Sequence, residues 1–332
     1  MNLGQIETFL KEDDYDTVIL ANSHLANTFS DECKIGKGAL KLVVGGGDII
    51  QYKYLLDRVL SKTNRITNIV YGFELWWAEL YGSSPECMDP YKEYKNKLSF
   101  LLAFNNTIYS AKELWLQYVN SDLGYAKTSL NEWMFYWDLP YVQKLQANFC
   151  KKVPKITKPS FKSFSSCLQK QASVCYDNID QYILPFVEQN PKTTFYFLII
   201  PYSFVQFLAE VNGEDCAQKY ISYQRYFIKR LSSYHNVRIY GFHTCDFINN
   251  LANYHELSHY HPDINRYMLY AIQNNRHRLT MENLEQYEQA MIENLKAFEI
   301  KDTYPHMDSL EDIIRQEEAK LFSLDKPLLS HK

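Results

Sequence analysis

The chain has 332 residues, a net charge of −4 and a hydrophobic fraction of 46%. A chain of this length can bury a large core, as one domain or as two. Its basic residues are scattered, and the one basic run, 151–162, is typical of a solvated linker. This pattern excludes the dense positive surface of a nucleic-acid-binding protein. No stretch of about twenty apolar residues predicts a membrane span.

Cysteine usage and the first residues of the chain bear on its compartment. The seven cysteines form no CxxC pair and no cluster with metal-ligand spacing, so we expect a reducing compartment and no disulfide framework, metal or cofactor. No signal peptide is present, which predicts a cytoplasmic location, or the cell envelope if a signal or anchor precedes the sequence given. Aromatic residues make up 15% of the chain, which favours core packing, with sugar contact as the alternative.

The hydrophobic pattern predicts alternating strands and helices. After a short helix at 4–12, buried strands are expected at 16–21, 39–44, 65–75, 193–203 and 236–242. The longer helices between and after them are expected at 48–62, 204–234 and 262–274. This alternation is typical of a parallel sheet covered on both faces. We therefore predict an α/β fold, a three-layer α/β/α sandwich around a mostly parallel five-stranded sheet.

The alternation breaks between residues 83 and 190, where aromatic helical segments dominate. Because no strand-rich unit occurs there, we interpret 83–190 as a helical insertion or cap on the α/β core. Two charged amphipathic helices, 280–297 and 308–322, belong to a C-terminal helical extension over 276–332. The whole chain, 1–332, is thus expected to fold as a single domain.

The first candidate for chemistry is Ser23, which follows the first predicted strand in "TVILANSH". Ligands of parallel sheets gather beyond the carboxyl ends of the strands. A strand-to-loop turn also exposes backbone N–H groups that can stabilise an oxyanion. Ser23 is therefore a candidate nucleophile, and the alternative is a serine that caps the following helical turn.

The second candidate is the glycine run Gly45, Gly46 and Gly47 in "VVGGGDII", between a predicted strand and a helix. Glycines permit close backbone approach and positive φ angles, and they leave N–H groups at a helix N-terminus. The run lacks GxGxxG and a following Gly-Lys-Ser/Thr, so dinucleotide binding is a weak interpretation. An oxyanion-hole loop fits better, with a tight structural turn as the alternative.

The third candidate lies in "NYHELSHYHPDINRYML", residues 253–269, where a helix begins at a proline. Glu256 and His259 are three residues apart, so one turn can present the carboxylate to the imidazole and leave the other ring nitrogen for a nucleophile. A metal site at His255, His259 and His261 is an alternative, although it lacks standard zinc spacing. A polar surface loop is the other alternative.

Two further acidic residues follow predicted strands. Asp246, after the fifth strand, is an alternative partner for His259, although a helical N-cap is its simpler role. Glu74, at the end of the third strand, is a candidate substrate contact at the same edge of the sheet.

Together these motifs resemble the SGNH/GDSL hydrolase superfamily, in particular its divergent branch associated with glycan O-acetylation and cell-surface polysaccharide genes. The nucleophile block is "TVILANSH", the glycine block is "VVGGG", and "YHELSHYHPDINRYML" is the acid-x-x-His block, in the family's chain order. In that branch the last block reads Tyr-x-Asp-x-x-His-Tyr-x-Pro-x-Ile-Asn. The matching residues are Tyr254, His259, Tyr260, Pro262, Ile264 and Asn265. The similar regions are about 1–80 and 190–275.

The resemblance implies a serine esterase or O-acyltransferase that acts on an acylated carbohydrate or glycan. Ser23 would be the nucleophile, His259 the general base and Glu256 the orienting acid. The N–H groups of Ser23 and of a glycine within Gly45–Gly47 would form the oxyanion hole. Asn22 is a further candidate donor because it adjoins Ser23.

The chain departs from the family pattern in three ways. Glu256 stands where the family has Asp, no Gly-x-Asn-Asp block supplies the usual third oxyanion donor, and the nucleophile block reads Ala-Asn-Ser-His instead of Gly-Asp-Ser. The alternative function is therefore a catalytically silent SGNH-fold protein that binds glycan or scaffolds a polysaccharide-biosynthesis complex.

Overall fold

A six-stranded sheet forms the centre of the structure, a computed structural model that describes residues 15–28, 30–43, 49–62, 65–75, 166–209, 213–254, 258–299 and 306–324. The strands are β1 (Thr17–Ala21), β2 (Ala39–Val43), β3 (Asn68–Phe73), β4 (Thr194–Ile199), β5 (Val237–Gly241) and β6 (Arg278–Leu279). Their order is β2-β1-β3-β4-β5-β6, and every neighbouring pair is parallel except β5 and β6. The predicted α/β class with a mostly parallel sheet is confirmed.

The prediction of five strands is wrong by one, because β6 adds a short antiparallel edge to the sheet. It contains only Arg278 and Leu279, which pair with Tyr240 and Ile239 of β5. Two residues, one of them charged, carry no period-2 hydrophobic pattern, so the sequence does not distinguish this strand from a loop.

Helices surround the described part of the sheet. They are α1 (Ile49–Lys62), α2 (Ser166–Tyr182), α3 (Leu184–Gln189), α4 (Phe204–Ala209), α5 (Gly213–Leu231), α6 (Pro262–Gln273), α7 (Leu284–Ala297) and α8 (Leu310–Leu324). The helix expected over 204–234 is thus described as α4 and α5. No helix in the described ranges combines the length and apolar character needed to cross a membrane.

Two of the predicted regions lie largely outside the described residues. The helix at 4–12 is one, and most of the insertion at 83–190 is the other. The described end of the insertion forms α2 and α3, and α2 packs against α1 and α5. This end of the predicted insertion is therefore in contact with helices of the α/β core.

The core is apolar on both faces of the sheet and rich in aromatic rings. In β1, the consecutive residues Val18, Ile19 and Leu20 have no solvent exposure, as expected where both faces of a parallel sheet are covered. Phe73 of β3 stacks on Phe227 of α5 with ring centroids 4.2 Å apart. The largest fully buried side chains include the tyrosines 71, 220, 223, 240, 254, 260 and 267. Packing thus accounts for much of the aromatic content in the described ranges.

Asn236 joins the start of β5 to the loop before β4. Its Nδ2 atom lies 3.0, 3.1 and 3.2 Å from the main-chain oxygens of Val187, Asn190 and Thr193. We expect Asn236→Ala to lower the free energy of unfolding by about 1–3 kcal/mol, because buried carbonyl groups lose their donor. Urea denaturation followed by circular dichroism measures this loss.

The matched control is Asn274→Ala at the end of α6. Its Nδ2 atom also donates to a main-chain oxygen, that of Tyr270 at 2.8 Å, but at an exposed position where water can replace it. We expect a change within about 0.5 kcal/mol for this variant. Equal losses in the two variants would contradict the role assigned to Asn236.

Candidate active site

Ser23 and His259 form a hydrogen-bonded pair beyond the carboxyl end of β1. Ser23 begins a 3₁₀ turn, Ser23–Leu25, directly after the strand, and His259 lies shortly before α6. Although 236 residues separate them, Ser23 Oγ lies 2.6 Å from His259 Nε2. Both residues are partly buried. An imidazole nitrogen at this distance can take the proton of a serine that attacks an electrophile.

The pair lies where the strand order of the sheet reverses. The chain passes from β1 to β2 on one side, and then returns to β3 on the other side of β1. Such a reversal opens a crevice at the carboxyl edge, where open α/β sheets bind their ligands. Ser23 follows β1 and Glu74 follows β3, so both residues lie at the carboxyl edge of the sheet beside this reversal.

Buried amides hold the turn after β1 against the segment that contains His259. Asn265 Nδ2, from the first turn of α6, donates to the main-chain oxygen of His24 at 2.9 Å and also to Asn27 Oδ1. Asn27 Nδ2 in turn donates to the main-chain oxygen of Tyr260 at 2.9 Å. Asn27 and Asn265 are both buried. These bonds join residues directly beside Ser23 and His259, and so set the distance between the pair.

The loop that contains His259 is closed at its base. Tyr254 and Tyr260 form an antiparallel β-bridge, and the main-chain N–H of His261 donates to the main-chain oxygen of Asn253 at 2.7 Å. His261 Nδ1 accepts the main-chain N–H of Asp263 at 3.3 Å and caps α6. The loop therefore presents His259 from a closed base directly before a capped helix.

Glu256, His255 and Gly45–Gly47 lie outside the described residues, so their roles stay predictions. Asn22 Oδ1 accepts the main-chain N–H of His24 at 3.0 Å and caps the turn, while the oxyanion role of its amide nitrogen stays a prediction.

Asp246, the alternative partner for His259, contacts the C-terminal helix. Its Oδ1 atom lies 2.7 Å from Lys320 Nζ on α8. The N-cap of the 3₁₀ turn Asp246–Asn249 is Cys245, so Asp246 lies in the first turn and is not the N-cap residue. The described contact of the Asp246 carboxylate is thus an ion pair with α8.

A second imidazole packs directly against His259. The ring of His24 stacks on that of His259 with centroids 4.4 Å apart and planes within 1° of parallel. His24 Nδ1 lies 3.0 Å from Asn22 Oδ1 and 2.5 Å from Glu74 Oε1. Both neighbours are acceptor oxygens, so Nδ1 is placed as a hydrogen-bond donor.

The Glu74 carboxylate contacts both His24 and Tyr202, a residue that follows β4. The Tyr202 hydroxyl donates to Glu74 Oε2 at 2.7 Å, and Glu74 is only 3% exposed. Burial, reinforced by the charge of Glu74, raises the pKa of Tyr202 well above its ordinary value, so the hydroxyl remains a neutral donor. Glu74 thus lies at the predicted edge of the sheet with its carboxylate bound to protein groups, and contact with a substrate stays a prediction.

Glu74 is the acidic residue of this buried network, in contact with His24 and Tyr202. His24 Nε2 is buried and has no hydrogen-bond partner among the described residues. A carboxylate in contact with the ring that stacks on His259 can stabilise a positive charge on the His259 imidazole.

The sequence analysis missed the contacts of His24, Tyr202 and Asn27. A signal was present, because all three follow within a few residues of the carboxyl end of a strand, in "ANSHLAN" and "IIPYS". The stacking of His24 on His259, and the contacts of Tyr202 and Asn27 with residues around the pair, depend on side-chain directions that strand position alone does not specify.

Comparison with protein-family models, with curated proteins and with solved structures gives no significant match. The resemblance to the SGNH superfamily therefore rests on the three sequence motifs.

Replacement of the Glu74 carboxylate by an amide tests whether the carboxylate raises the reactivity of Ser23. Glu74→Gln keeps the side-chain shape but removes the negative charge beside His24. A hydrogen bond to a charged group contributes about 1.5–3 kcal/mol. We therefore expect about 10- to 100-fold slower labelling of Ser23 by a fluorophosphonate probe, measured by intact-protein mass spectrometry over time.

Glu188→Gln is the matched control for this variant. Glu188 also accepts a tyrosine hydroxyl, that of Tyr234 at 2.6 Å, but on an exposed surface. We expect its labelling rate to equal that of the wild type. A folded Glu74→Gln protein that labels at the wild-type rate would show that Glu74 has no effect on the pair.

Proposed function

We propose that this chain is a serine esterase or O-acyltransferase of the SGNH type, which acts on an acylated carbohydrate through an acyl-enzyme on Ser23. The observation that carries the proposal is the 2.6 Å contact between Ser23 Oγ and His259 Nε2. The two motifs that supply these residues are far apart in the chain, and a nucleophile–base pair requires them to meet.

The topology of the sheet supports the same assignment. The order β2-β1-β3-β4-β5 is that of flavodoxin-like doubly wound folds. Helix α2 packs with α1 and α5, while α6 packs with α8. These two groups of helices fit the two outer layers of an α/β/α sandwich, which is the architecture that the SGNH resemblance implies.

The first half of the reaction forms the acyl-enzyme. Ser23 Oγ attacks the carbonyl carbon of the ester while His259 Nε2 accepts its proton. The negative charge that develops on the carbonyl oxygen is stabilised by N–H donors, for which Ser23 itself and Gly45–Gly47 are the predicted sources. The tetrahedral intermediate then expels the sugar oxygen, which takes the proton from His259.

The second half transfers the acyl group to an acceptor. Water or a sugar hydroxyl loses its proton to His259 as its oxygen attacks the acyl carbon. Expulsion of Ser23 Oγ, which regains the proton from His259, releases a carboxylic acid or a new ester. The carboxylate of Glu74, held by His24 and Tyr202, stabilises the imidazolium in both halves.

A catalytically silent SGNH-fold protein that binds glycan or scaffolds a polysaccharide-biosynthesis complex is the second candidate. It is favoured by the nucleophile block Ala-Asn-Ser-His and by the absence of a Gly-x-Asn-Asp block from the sequence. The two candidates differ in one property, the reactivity of Ser23 toward an acylating or phosphonylating reagent.

Reactivity of Ser23 is tested with a fluorophosphonate probe and with p-nitrophenyl acetate. We expect covalent labelling at Ser23 in the wild type, and an ester hydrolysis rate that falls by about 10³-fold or more in Ser23→Ala, because the nucleophile is absent. Peptide mapping by mass spectrometry locates the label.

Ser61→Ala is the control, since Ser61 is an exposed serine at the end of α1 whose hydroxyl donates to the main-chain oxygen of Arg58 at 3.3 Å. It should retain full labelling and hydrolysis. No labelling of the wild type, or hydrolysis that persists in Ser23→Ala, would reject the enzyme and leave the silent candidate.

A further inference from the structure

A second cluster of polar side chains takes no part in the chemistry proposed for Ser23. Cys245 follows β5, His277 precedes β6 and Glu317 lies on α8. One donor atom from each residue, a sulfur, an imidazole nitrogen and a carboxylate oxygen, lies within 4.8 Å of the other two. Cys245 and Glu317 are buried, and His277 is partly buried. Three ligand types thus converge from three separate segments.

The spacing is close to that of a tetrahedral metal site. Cys245 Sγ lies 3.8 Å from His277 Nδ1 and 3.9 Å from Nε2. A Zn–S bond of about 2.3 Å and a Zn–N bond of about 2.0 Å at a tetrahedral angle place the two ligand atoms about 3.5 Å apart. Binding therefore needs a contraction of only about 0.3 Å between sulfur and Nδ1.

Neighbouring groups hold the imidazole of His277. The Tyr267 hydroxyl lies 2.6 Å from Nε2, which leaves Nδ1 for a metal. A metal-bound histidine commonly donates its second N–H to such a neighbour. The main chain of His277 is left-handed, with φ of 57°, and its oxygen accepts the N–H of Gly241 at 3.1 Å. Backbone strain of this kind clusters at functional sites.

The protonation states are compatible with metal binding. Burial, with the charges of Lys320 and Arg276, lowers the pKa of His277 to about 4, so the ring is neutral at pH 7. Burial, with the charge of Glu317, raises the pKa of the Cys245 thiol well above its ordinary value. The thiol therefore keeps its proton until a cation displaces it, and binding releases that proton to solvent.

A divalent cation would offset the negative charge that gathers at the cluster once it binds. With the cation bound, the Cys245 thiolate, Glu317 and Asp246 would be negative, and Lys320 and Arg276 positive. Lys320 Nζ lies 2.7 Å from Asp246 Oδ1 and 3.3 Å from Glu317 Oε1. The main-chain N–H of Asp246 also donates to Glu317 Oε1, at 2.7 Å, so Oε2 is the oxygen left for a metal.

We propose that Cys245, His277 and Glu317 bind one zinc-class divalent cation, with water as the fourth ligand. Mixed sulfur, nitrogen and oxygen donors suit a borderline-soft cation such as Zn²⁺, whereas Mg²⁺ and Ca²⁺ require oxygen ligands. The ion ties α8 to the segments at the end of β5 and the start of β6. Its role is to hold the C-terminal helix against the core.

Cobalt substitution tests the proposal, because Co²⁺ bound to a thiolate gives a sulfur-to-metal charge-transfer band. We expect this band to saturate at one Co²⁺ per chain in the full-length, reduced protein, and to disappear when Zn²⁺ is added. Cys245→Ser should abolish the band. Cys33→Ser, which alters another buried free cysteine, should retain it.

A second measurement covers the case in which Cys245→Ser fails to fold. His277→Gln keeps a polar group near Tyr267 but removes the imidazole ligand, and we expect it to weaken Co²⁺ binding by tenfold or more. Zn²⁺ should also raise the Tm of the wild type and leave the Tm of His277→Gln unchanged. No band in the wild type, a band that persists in Cys245→Ser, or equal Tm shifts would show that the cluster is a hydrogen-bond network only.

Discussion

The side-chain amide of Asn265 is the interaction on which the candidate site depends. It binds the main-chain oxygen of His24 and the side chain of Asn27, and so ties the turn after β1 to α6. Ser23 and His259 are distant in the chain, and a proton passes between them only at hydrogen-bond distance. Buried amides set such a separation better than apolar contacts do, because hydrogen bonds restrict both distance and direction. Asn265 also matches the acid-x-x-His block of the SGNH branch that the sequence resembles, and its hydrogen bonds offer a structural reason for an asparagine at that position.

Burial of Glu74 imposes a second constraint on the same region. A carboxylate removed from water costs several kcal/mol unless other groups bind it. The Tyr202 hydroxyl and His24 Nδ1 offset that cost, and they leave the negative charge close to His259. The contacts that make the buried carboxylate tolerable therefore also set the electrostatic environment of the proposed base.

The parallel sheet explains why polar groups collect where they do. Its strands are buried on both faces, so polar side chains find room mainly where the strands end. Ser23, Glu74, Tyr202 and Cys245 follow β1, β3, β4 and β5 in turn, and β6 is antiparallel, which brings His277 to the same edge. The serine of the proposed acyl-transfer pair and two of the proposed metal ligands, Cys245 and His277, thus lie at the same carboxyl edge of the sheet.

The amino-acid pattern alone predicts strands β1–β5, most of the described helices, and Ser23 and His259 as candidates. Hydrophobic periodicity and short motifs are local properties, so a single sequence contains them. Three features become visible only in the folded chain: His24 and Glu74 meet beside His259, β6 joins the sheet, and Cys245 approaches His277 and Glu317. Those contacts depend on strand order and on side-chain rotamers, which no local pattern in the chain encodes.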